Sequence, residues 1–394
     1  MDKPNVSFTQ EIIEKLTSLP HRGATTKNEK IAADYVKTFI QNLGAKPTEQ
    51  SFKTSITYIY EIWWMLGILL VGLALLPYYT IVGFGIVTGI VLTLFLYFDW
   101  RGTFVTSMPP QKESQNIIGT KNEKADAKNR LVLMAHYDSA PVSLLYLPSQ
   151  VAGFSKSLKF NLFNIFIVQI IAILYVLGIP SSFGIWFRII YMVYFAAQTI
   201  ITSLDYFRLG YTNGAADNAS GVAVALSTAQ KLWQNYIPDW NIEVVITGAE
   251  EVGMRGAKYY FKTNHQNWND ENVHLLNFDN VGIGDIKIIT KTGSLTQDIY
   301  DNDLTKAALE TVQTYEKYND IKTGEWHTGD FDSIYFKRAG LSALTLSAQD
   351  ENGLIPNLHR PSDTIENVDF TIPERASEFA FDVCMHLIKK VKVD

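Results

Sequence analysis

Two long apolar stretches constrain the fold of this chain more than any other feature. Residues 62–98 and 161–186 contain no Asp, Glu, Lys or Arg, and apolar sequence resumes over 189–204. The first stretch, and the second when it is followed through to residue 204, are each about twice the ~20 residues that one membrane helix needs. Strands of soluble proteins run only about 5–6 residues between polar turns. We therefore expect each stretch to form two membrane-spanning helices.

Residues that favour turns interrupt each stretch near its middle, at 77–80 and at 178–182. The sequence thus predicts two transmembrane hairpins, in which Gly85 and Gly89 are candidates for a close helix contact. The predicted helices cover residues 60–77, 80–98, 160–179 and 183–204.

A hairpin returns the chain to the side of the membrane that it left. We therefore expect segments 1–58, 100–159 and 206–394 to form one soluble core, with hairpins 59–99 and 160–205 inserted between them. The hairpin turns carry no Lys or Arg, whereas basic residues flank the other helix ends, which predicts a core on the cytoplasmic side of an integral membrane protein. These basic residues are Lys53, Arg101, Lys156, Lys159 and Arg208.

The soluble segments predict an α/β fold with a mixed, mostly parallel sheet sandwiched by helices. Capping signals at Ser7 and Thr26, with Gln10 and Glu29 three residues on, predict helices over 8–18 and 26–43. Apolar strands are predicted at 131–135, 241–249, 273–279, 286–290 and 341–347, with helices from about 220, at 253–262, 296–313 and 373–391.

Charge and cysteine content exclude some classes of site. The net charge is −6 without a basic run, which argues against a nucleic-acid partner. The single cysteine, Cys384, excludes an intrachain disulfide and a cysteine-based zinc cage. A metal site in this chain would therefore need histidine and carboxylate ligands.

Such side chains follow the predicted strands, at the sheet edge where α/β proteins bind ligands. Taken alone, each has a simpler explanation: Asp217 also suits a helix N-cap, and a lone histidine is more often a surface residue. Together, two histidines and three carboxylates are the ligands that two zinc ions sharing one carboxylate require. The candidates are His136, Asp138, Asp217, Glu250, Glu251, Asp279 and His359.

The adjacent glutamates Glu250 and Glu251 would repel each other in a buried site unless a cation lay close by. We expect one of them to bind metal and the other to act as a general base that passes a proton from water to a leaving amine. Asp138 is two residues beyond His136 on the same face of an extended segment, where it can orient that imidazole.

The order of these motifs resembles that of the M28 zinc aminopeptidases, over the whole soluble part of the chain. The resemblance implies peptide substrates and two Zn²⁺ ions. The matching residues are His136-Tyr137-Asp138, Asp217-Asn218-Ala219-Ser220-Gly221, Glu250-Glu251, Asp279 and His359.

The resemblance also implies a role for each residue. Asp217 would bridge the metals, His136 and Asp279 would complete one site, and Glu251 and His359 would complete the other. Glu250 would be the general base. An aspartate at position 279 is typical of the aminopeptidases within this family, where carboxypeptidases tend to have glutamate.

Alternative functions remain open at this stage. A glutaminyl cyclase shares much of the pattern with a single zinc, and an inactive member would serve as a receptor or scaffold. The complete ligand set and the Asp-Asn-Ala-Ser-Gly turn at 217–221 favour the peptidase. A transporter is disfavoured because the apolar stretches carry no paired charges. Soluble family members lack the hairpins, so we expect a peptidase core on a four-helix membrane base that anchors it or admits membrane-associated substrate.

Overall fold

The structure is a computed structural model that describes residues 6–179, 182–268 and 272–391. In these residues the strands are β1 (Lys46–Ser55), β2 (Gln111–Thr120), β3 (Asn129–His136), β4 (Trp240–Thr247), β5 (Asn272–Phe278), β6 (Asp285–Thr292), β7 (Asp298–Ile299), β8 (Lys322–Glu325) and β9 (Ser342–Gln349). The helices are α1 (Phe8–Thr17), α2 (Lys27–Asn42), α3 (Tyr58–Leu75), α4 (Thr80–Phe98), α5 (Pro148–Val151), α6 (Phe154–Val176), α7 (Ser182–Leu209), α8 (Gly221–Trp233), α9 (Arg255–Asn264), α10 (Asp303–Thr314), α11 (Ile334–Arg338) and α12 (Thr371–Val391).

The strands form one mixed sheet in the order β1-β2-β4-β3-β5-β9-β6-β7, with β8 beside β6. The four central strands, β4-β3-β5-β9, are parallel, and so is the β6–β8 pair. The pairs β1–β2, β2–β4, β6–β9 and β6–β7 are antiparallel. The sheet is mixed as predicted, but the expectation of mostly parallel pairing holds only for its centre.

Helices cover both faces of the sheet, as the sequence predicts. Alternate residues of β3 point to opposite faces, which is the normal geometry of a strand. Leu131 and Leu133 join a cluster that includes Leu226 of α8, whereas Val132 and Met134 join a separate cluster with α9 and α11. The central strands are therefore buried on both sides, which explains their continuous apolar sequence.

Local capping chemistry sets several helix ends. The hydroxyls of Ser7 and Thr26 each accept a hydrogen bond at 3.2 Å from the backbone N–H three residues on. Helix α1 therefore begins at Phe8 as predicted, and α2 begins at Lys27, one residue later than predicted. The helix predicted over 296–313 is shorter, because the Asn302 side chain accepts from the backbone N–H groups of Leu304 and Thr305 and starts α10 at Asp303.

Four helices are long and apolar enough to cross a membrane: Tyr58–Leu75, Thr80–Phe98, Phe154–Val176 and Gly184–Leu209. The third begins six residues earlier than predicted, and its neighbour continues to Leu209. Of the predicted turn at 178–182, Pro180 and Ser181 lie outside the described residues. The insertion of these helices as two membrane hairpins stays a prediction.

Glycines bring α3 and α4 together, although not the predicted pair. A Cβ on Gly83 would lie 2.8 Å from the backbone nitrogen of Leu76 and 2.9 Å from the carbonyl oxygen of Gly72. A Cβ on Gly85 or Gly89 would meet nothing within 4 Å among the described residues. The expectation for Gly85 and Gly89 is therefore wrong, because those two positions face away from the helix contact.

A buried ion pair joins the bundle of four apolar helices (α3, α4, α6 and α7) to the core that contains the sheet. The Arg255 guanidinium, at the start of α9, lies 2.7 and 2.8 Å from the two carboxylate oxygens of Glu61 on α3. The hydroxyl of Ser55 donates to the same carboxylate. The Glu61 side chain is only 1% exposed, so its charge depends on these partners and not on water.

We expect Arg255→Gln to lower the free energy of unfolding by about 3 kcal/mol, because it leaves a buried carboxylate without its cation. Thermal unfolding of the detergent-purified protein measures this. The double variant Glu61→Gln/Arg255→Gln should recover much of the loss. Lys37→Gln, which removes exposed ion pairs with Asp34 and Glu49, should change stability by at most about 0.5 kcal/mol. An equal loss of stability in Arg255→Gln and Lys37→Gln would contradict the role given to the Glu61–Arg255 pair.

Candidate active site

The parallel strands deliver the predicted side chains to one edge of the sheet. His136 is the last residue of β3 and pairs in register with Thr247, the last residue of β4. Glu250 and Glu251 follow β4 by a short turn, and Asp279 directly follows β5. Asp217 comes from the segment before α8, and His359 from the segment between β9 and α12.

Asp217 lies between the two histidines. Its Oδ1 is 3.3 Å from Nε2 of His136, and its Oδ2 is 3.3 Å from Nε2 of His359. Nε2 of His136 is also 3.5 Å from Asp279 Oδ2, and Nε2 of His359 is 3.0 Å from Glu251 Oε2. The five predicted ligands thus form two imidazole–carboxylate groups that share one aspartate.

Asp138 supports both the histidine and the glutamates. Its carboxylate accepts hydrogen bonds from the backbone N–H groups of Glu250 and Glu251, at 3.0 and 3.1 Å. Nδ1 of His136 lies 3.2 Å from the Asp138 carbonyl oxygen and 3.6 Å from its carboxylate. Asp138 therefore contacts His136 and holds the turn that carries the glutamates, while its role in orienting the imidazole stays a prediction.

That turn has an unusual backbone. Ala249 has a φ of 52° and Met254 a φ of 54°, both in the left-handed region, and Gly253 between them has a φ of 98°. A left-handed non-glycine residue costs on the order of 1–3 kcal/mol. The bonds to Asp138 and the burial of Ala249 and Met254 maintain this conformation, which presents both glutamate side chains to the site.

Asn218 ties the Asp217 segment to the end of β5. Its side-chain amide donates to the carbonyl oxygen of Phe278 at 2.9 Å, and its Oδ1 accepts from the backbone N–H groups of Gly221 and Asn280. A Cβ on Gly221 would lie 2.1 Å from this Oδ1, so only glycine fits there. The Asp217–Asn218 peptide bond is cis. The hydrogen bonds of the Asn218 side chain to main-chain groups hold Asp217 and Asp279 beside each other.

Three buried residues that the sequence did not single out support the site. Asp363 accepts the backbone N–H groups of Ala216 and Asp217, and Asp332 accepts the hydroxyl of Thr247 at 2.6 Å. Arg22 donates to the carbonyl oxygens of Tyr137 and Gly214, each at 2.7 Å. Asp363 lies four residues after His359, which was a usable signal, whereas Arg22 is far upstream and has no motif.

The site concentrates negative charge away from water. Burial raises the pKa of Glu250 well above its usual 4.5 and that of Glu251 to about 8, despite the opposing effects of His136 and His359. Burial alone would lower the pKa of His359, but Glu251 and Asp217 raise it to about 10. Four carboxylates, including Asp279, face two imidazoles, so the group favours additional positive charge.

The donor atoms fit a divalent cation. Ligand atoms of His136, Asp217 and Glu251 all lie within 4.8 Å of one another. Among the described residues, Asp217 Oδ2 and Glu251 Oε1 are buried without a hydrogen-bond partner. Buried oxygens in that state are costly, and imidazole with carboxylate is a typical zinc donor set. The structure therefore brings together the predicted ligands in an arrangement that suits metal.

A cavity of about 340 Å³ opens onto these residues. Its walls include the five predicted ligands and Glu250, together with side chains from α3, α4, α6 and α7. In the part of the chain that the structure describes, no Lys or Arg lines it. The cavity is therefore acidic at the sheet and enclosed by apolar helices on the other side.

Residues 199–384 match the model of peptidase family M28. This range holds Asp217, both glutamates, Asp279 and His359. The part of the chain from residue 199 to residue 384 therefore resembles this peptidase family. The resemblance stated from the motifs is thereby confirmed, while His136 on β3 lies before the matched range.

Solved structures of low sequence identity share the fold of this chain. An aminopeptidase from Aneurinibacillus sp. strain AM-1 aligns with a TM-score of 0.58 and 13% identity, over 96% of this chain and 93% of that one. A zinc aminopeptidase from Bacillus subtilis gives 0.57 and 13%, over 96% and 95%. The glutaminyl cyclase of Porphyromonas gingivalis gives 0.56 and 14%, over 96% and 98%. A comparison with curated proteins found no match.

We expect zinc to raise the thermal midpoint of chelator-treated protein, because a ligand that binds only the folded state at about 1,000 times its Kd stabilises by about 4 kcal/mol. Asp217→Asn should lose most of this gain, since both imidazole groups share that carboxylate. Asp285→Asn, which changes an exposed carboxylate on β6, is the matched control and should keep it. A full zinc response in Asp217→Asn would show that the cation binds elsewhere.

Proposed function

We propose that this protein is a membrane-anchored aminopeptidase with a dinuclear zinc site that removes N-terminal residues from peptides. The observation that carries the proposal is the placement of Asp217. Its two oxygens face two different imidazoles, one beside Asp279 and the other beside Glu251. One carboxylate in that position can bridge two cations.

The ligands divide accordingly. His136 and Asp279 would hold one zinc, Glu251 and His359 would hold the other, and Asp217 would bridge them. Zinc, when bound, polarises a substrate carbonyl and lowers the pKa of water. The chain supplies the fixed positions of these side chains through Asp138, Asn218 and the ends of the central strands.

Glu250 is the proposed general base. It belongs to neither imidazole–carboxylate group, its Oε2 lies 3.9 Å from Nε2 of His136, and it lines the cavity. Its carboxylate accepts a proton as a water oxygen attacks the scissile carbonyl carbon. The same proton then passes to the amine nitrogen as the C–N bond breaks, so Glu250 ends in its starting state.

The charge of the cavity supports an aminopeptidase over a carboxypeptidase. A carboxypeptidase needs a cationic side chain for the terminal carboxylate of its substrate, and no Lys or Arg lines this cavity within the described ranges. The acidic residues of the cavity instead favour the free ammonium group of a peptide N-terminus. Asp279, the residue type typical of family aminopeptidases, agrees with this choice.

The glutaminyl cyclase alternative shares the fold and would also accept a free N-terminal amine. A single zinc would leave one of the two imidazole–carboxylate groups around Asp217 without a cation, and the symmetry of these groups therefore favours the peptidase. Product analysis of a peptide with N-terminal glutamine separates the two activities, because hydrolysis shortens the peptide and cyclisation releases only ammonia. The inactive-scaffold alternative would require that neither product forms.

The membrane placement is also part of the proposal. The four apolar helices all join the core at the same end of the bundle, and basic residues gather there. Lys156 and Lys159 lie in the first turns of α6, and Arg208 lies in the last turn of α7. This distribution favours a cytoplasmic core formed by segments 1–58, 100–159 and 206–394, with the apolar segments 59–99 and 160–205 in the bilayer.

We expect Glu250→Gln to lower kcat at least about 100-fold, because general-base catalysis contributes about 10²–10⁴ to the rate. The zinc-induced rise in thermal midpoint should remain. Glu251→Gln is the matched comparison, and it should lose both activity and part of the zinc response. Substantial turnover by Glu250→Gln would remove Glu250 from the role of base.

A panel of amino-acid nitroanilides tests the reaction itself. We expect hydrolysis only of the substrates with a free amine, and not of their N-acetylated forms, because acetylation removes the ammonium charge that the acidic cavity attracts. Activity should disappear with chelator and return with zinc. Equal hydrolysis of acetylated and free substrates would contradict the aminopeptidase assignment.

A further inference from the structure

The active-site cavity extends into the helix bundle. On α3 its lining residues run from Tyr58, beside the core, to Leu66. At about 1.5 Å per residue these positions are about 12 Å apart along the helix. On α6 the lining residues run from Phe154 to Ile165, which corresponds to about 16 Å. The cavity thus reaches at least two helical turns beyond the peptidase core.

The far end of the cavity is apolar. Leu66, Leu94, Ile165 and Phe195, one from each of the four helices, line it there and are between 1% and 7% exposed. They therefore face one another around the cavity and not the outside of the bundle. A space with these walls favours hydrocarbon over water, because it offers few polar partners.

Polar side chains between α6 and α7 do not alter this character, because they bond to each other. Oδ1 of Asn161 accepts from the hydroxyl of Tyr194 at 2.6 Å and from Nε2 of Gln198 at 2.9 Å. The amide nitrogen of Asn161 donates to the Ser157 carbonyl oxygen at 3.0 Å. The wall between these helices therefore places little demand on a ligand for hydrogen bonds.

The geometry points to a substrate class: we propose that the cavity receives the first residue of peptides whose N-terminal side chain is a hydrocarbon chain longer than that of leucine. This inference rests on the proposed aminopeptidase function. In such a reaction the N-terminal residue is the end of the substrate, so its side chain can enter the part of the cavity between the helices without the rest of the peptide. The leaving peptide continues away from the reacting carbonyl and requires the open side.

The volume agrees with this occupant. Pockets that enclose most of a small molecule measure about 300–1,000 Å³, and this cavity measures about 340 Å³. A short side chain such as that of alanine would reach only the acidic end and leave the part between the helices empty. A long alkyl chain would bury its methylene groups against Leu66, Ile165 and Phe195.

The test is a series of nitroanilides of alanine, norleucine, 2-aminooctanoic acid and 2-aminodecanoic acid, assayed with the unmodified, zinc-loaded protein below the micelle concentration of each substrate. We expect kcat/KM to rise along the series by up to about fourfold per added methylene, the factor that its burial supplies. A value that is flat or falls beyond norleucine overturns the inference.

A matched pair of variants tests whether the preference for long side chains arises from the part of the cavity inside the helix bundle. Ile165→Trp fills the far end of the cavity and should lower the ratio of kcat/KM for the longest substrate over alanine by about tenfold or more. Ile170→Trp adds the same bulk to α6 at a position that is 41% exposed, and should leave that ratio unchanged. Equal ratios in both variants count against the inference. The substrate series on the unmodified protein decides the question if Ile165→Trp does not fold.

The outcomes separate the two proposals. Absence of hydrolysis across the series, including alanine, overturns the aminopeptidase function itself. Hydrolysis of alanine without a gain from longer chains overturns only the substrate class. Recovery of a tightly bound phospholipid, whose removal leaves the chain-length profile flat, would identify the cavity as a lipid site and also overturns the substrate class.

Discussion

The concentration of buried carboxylates at the carboxyl ends of β3, β4 and β5 is the constraint on which the rest of the structure depends. Asp217, Glu251 and Asp279 lie within ion-pair distance of only two imidazoles. Charges this close and this far from water are unfavourable unless they are balanced. A cation bound between them relieves the repulsion, and Asp217 Oδ2 and Glu251 Oε1, which have no hydrogen-bond partner among the described residues, are available for one.

Such a group keeps its geometry only if the backbone beneath it is rigid. Most of that rigidity comes from side chains that hydrogen-bond to main-chain groups. Asp138 holds the glutamate turn, Asp363 holds the Asp217 segment, and Asn218 joins that segment to the end of β5. Arg22 adds a buried positive charge beneath the same loops. The left-handed residues Ala249 and Met254 persist because these contacts over-determine the turn.

The apolar helices are not a separate appendage to this core. The Glu61–Arg255 ion pair connects α3 to the start of α9, one turn beyond Glu250 and Glu251, and the cavity continues from the carboxylates into the bundle. The same four helices that the sequence marks as membrane segments therefore also form the wall of the site. The same four helices can thus both anchor the protein in a membrane and select its substrate.

The sequence by itself indicated the candidate ligands and the position of the apolar helices. His136, Glu251 and Asp279 lie at or just after the end of a strand, and Asp217 lies in a glycine turn. A long run without charges has few structural outcomes other than helices in an apolar environment. Strands β1 and β2 were missed because β1 lies at the sheet edge and both strands carry mostly polar residues, without the apolar run of the central strands. Only the tertiary structure decided that Gly72 and Gly83 form the helix contact, that Arg22 and Asp363 support the site, and that the cavity enters the bundle. These features depend on contacts between residues far apart in the chain, and local sequence patterns do not encode them.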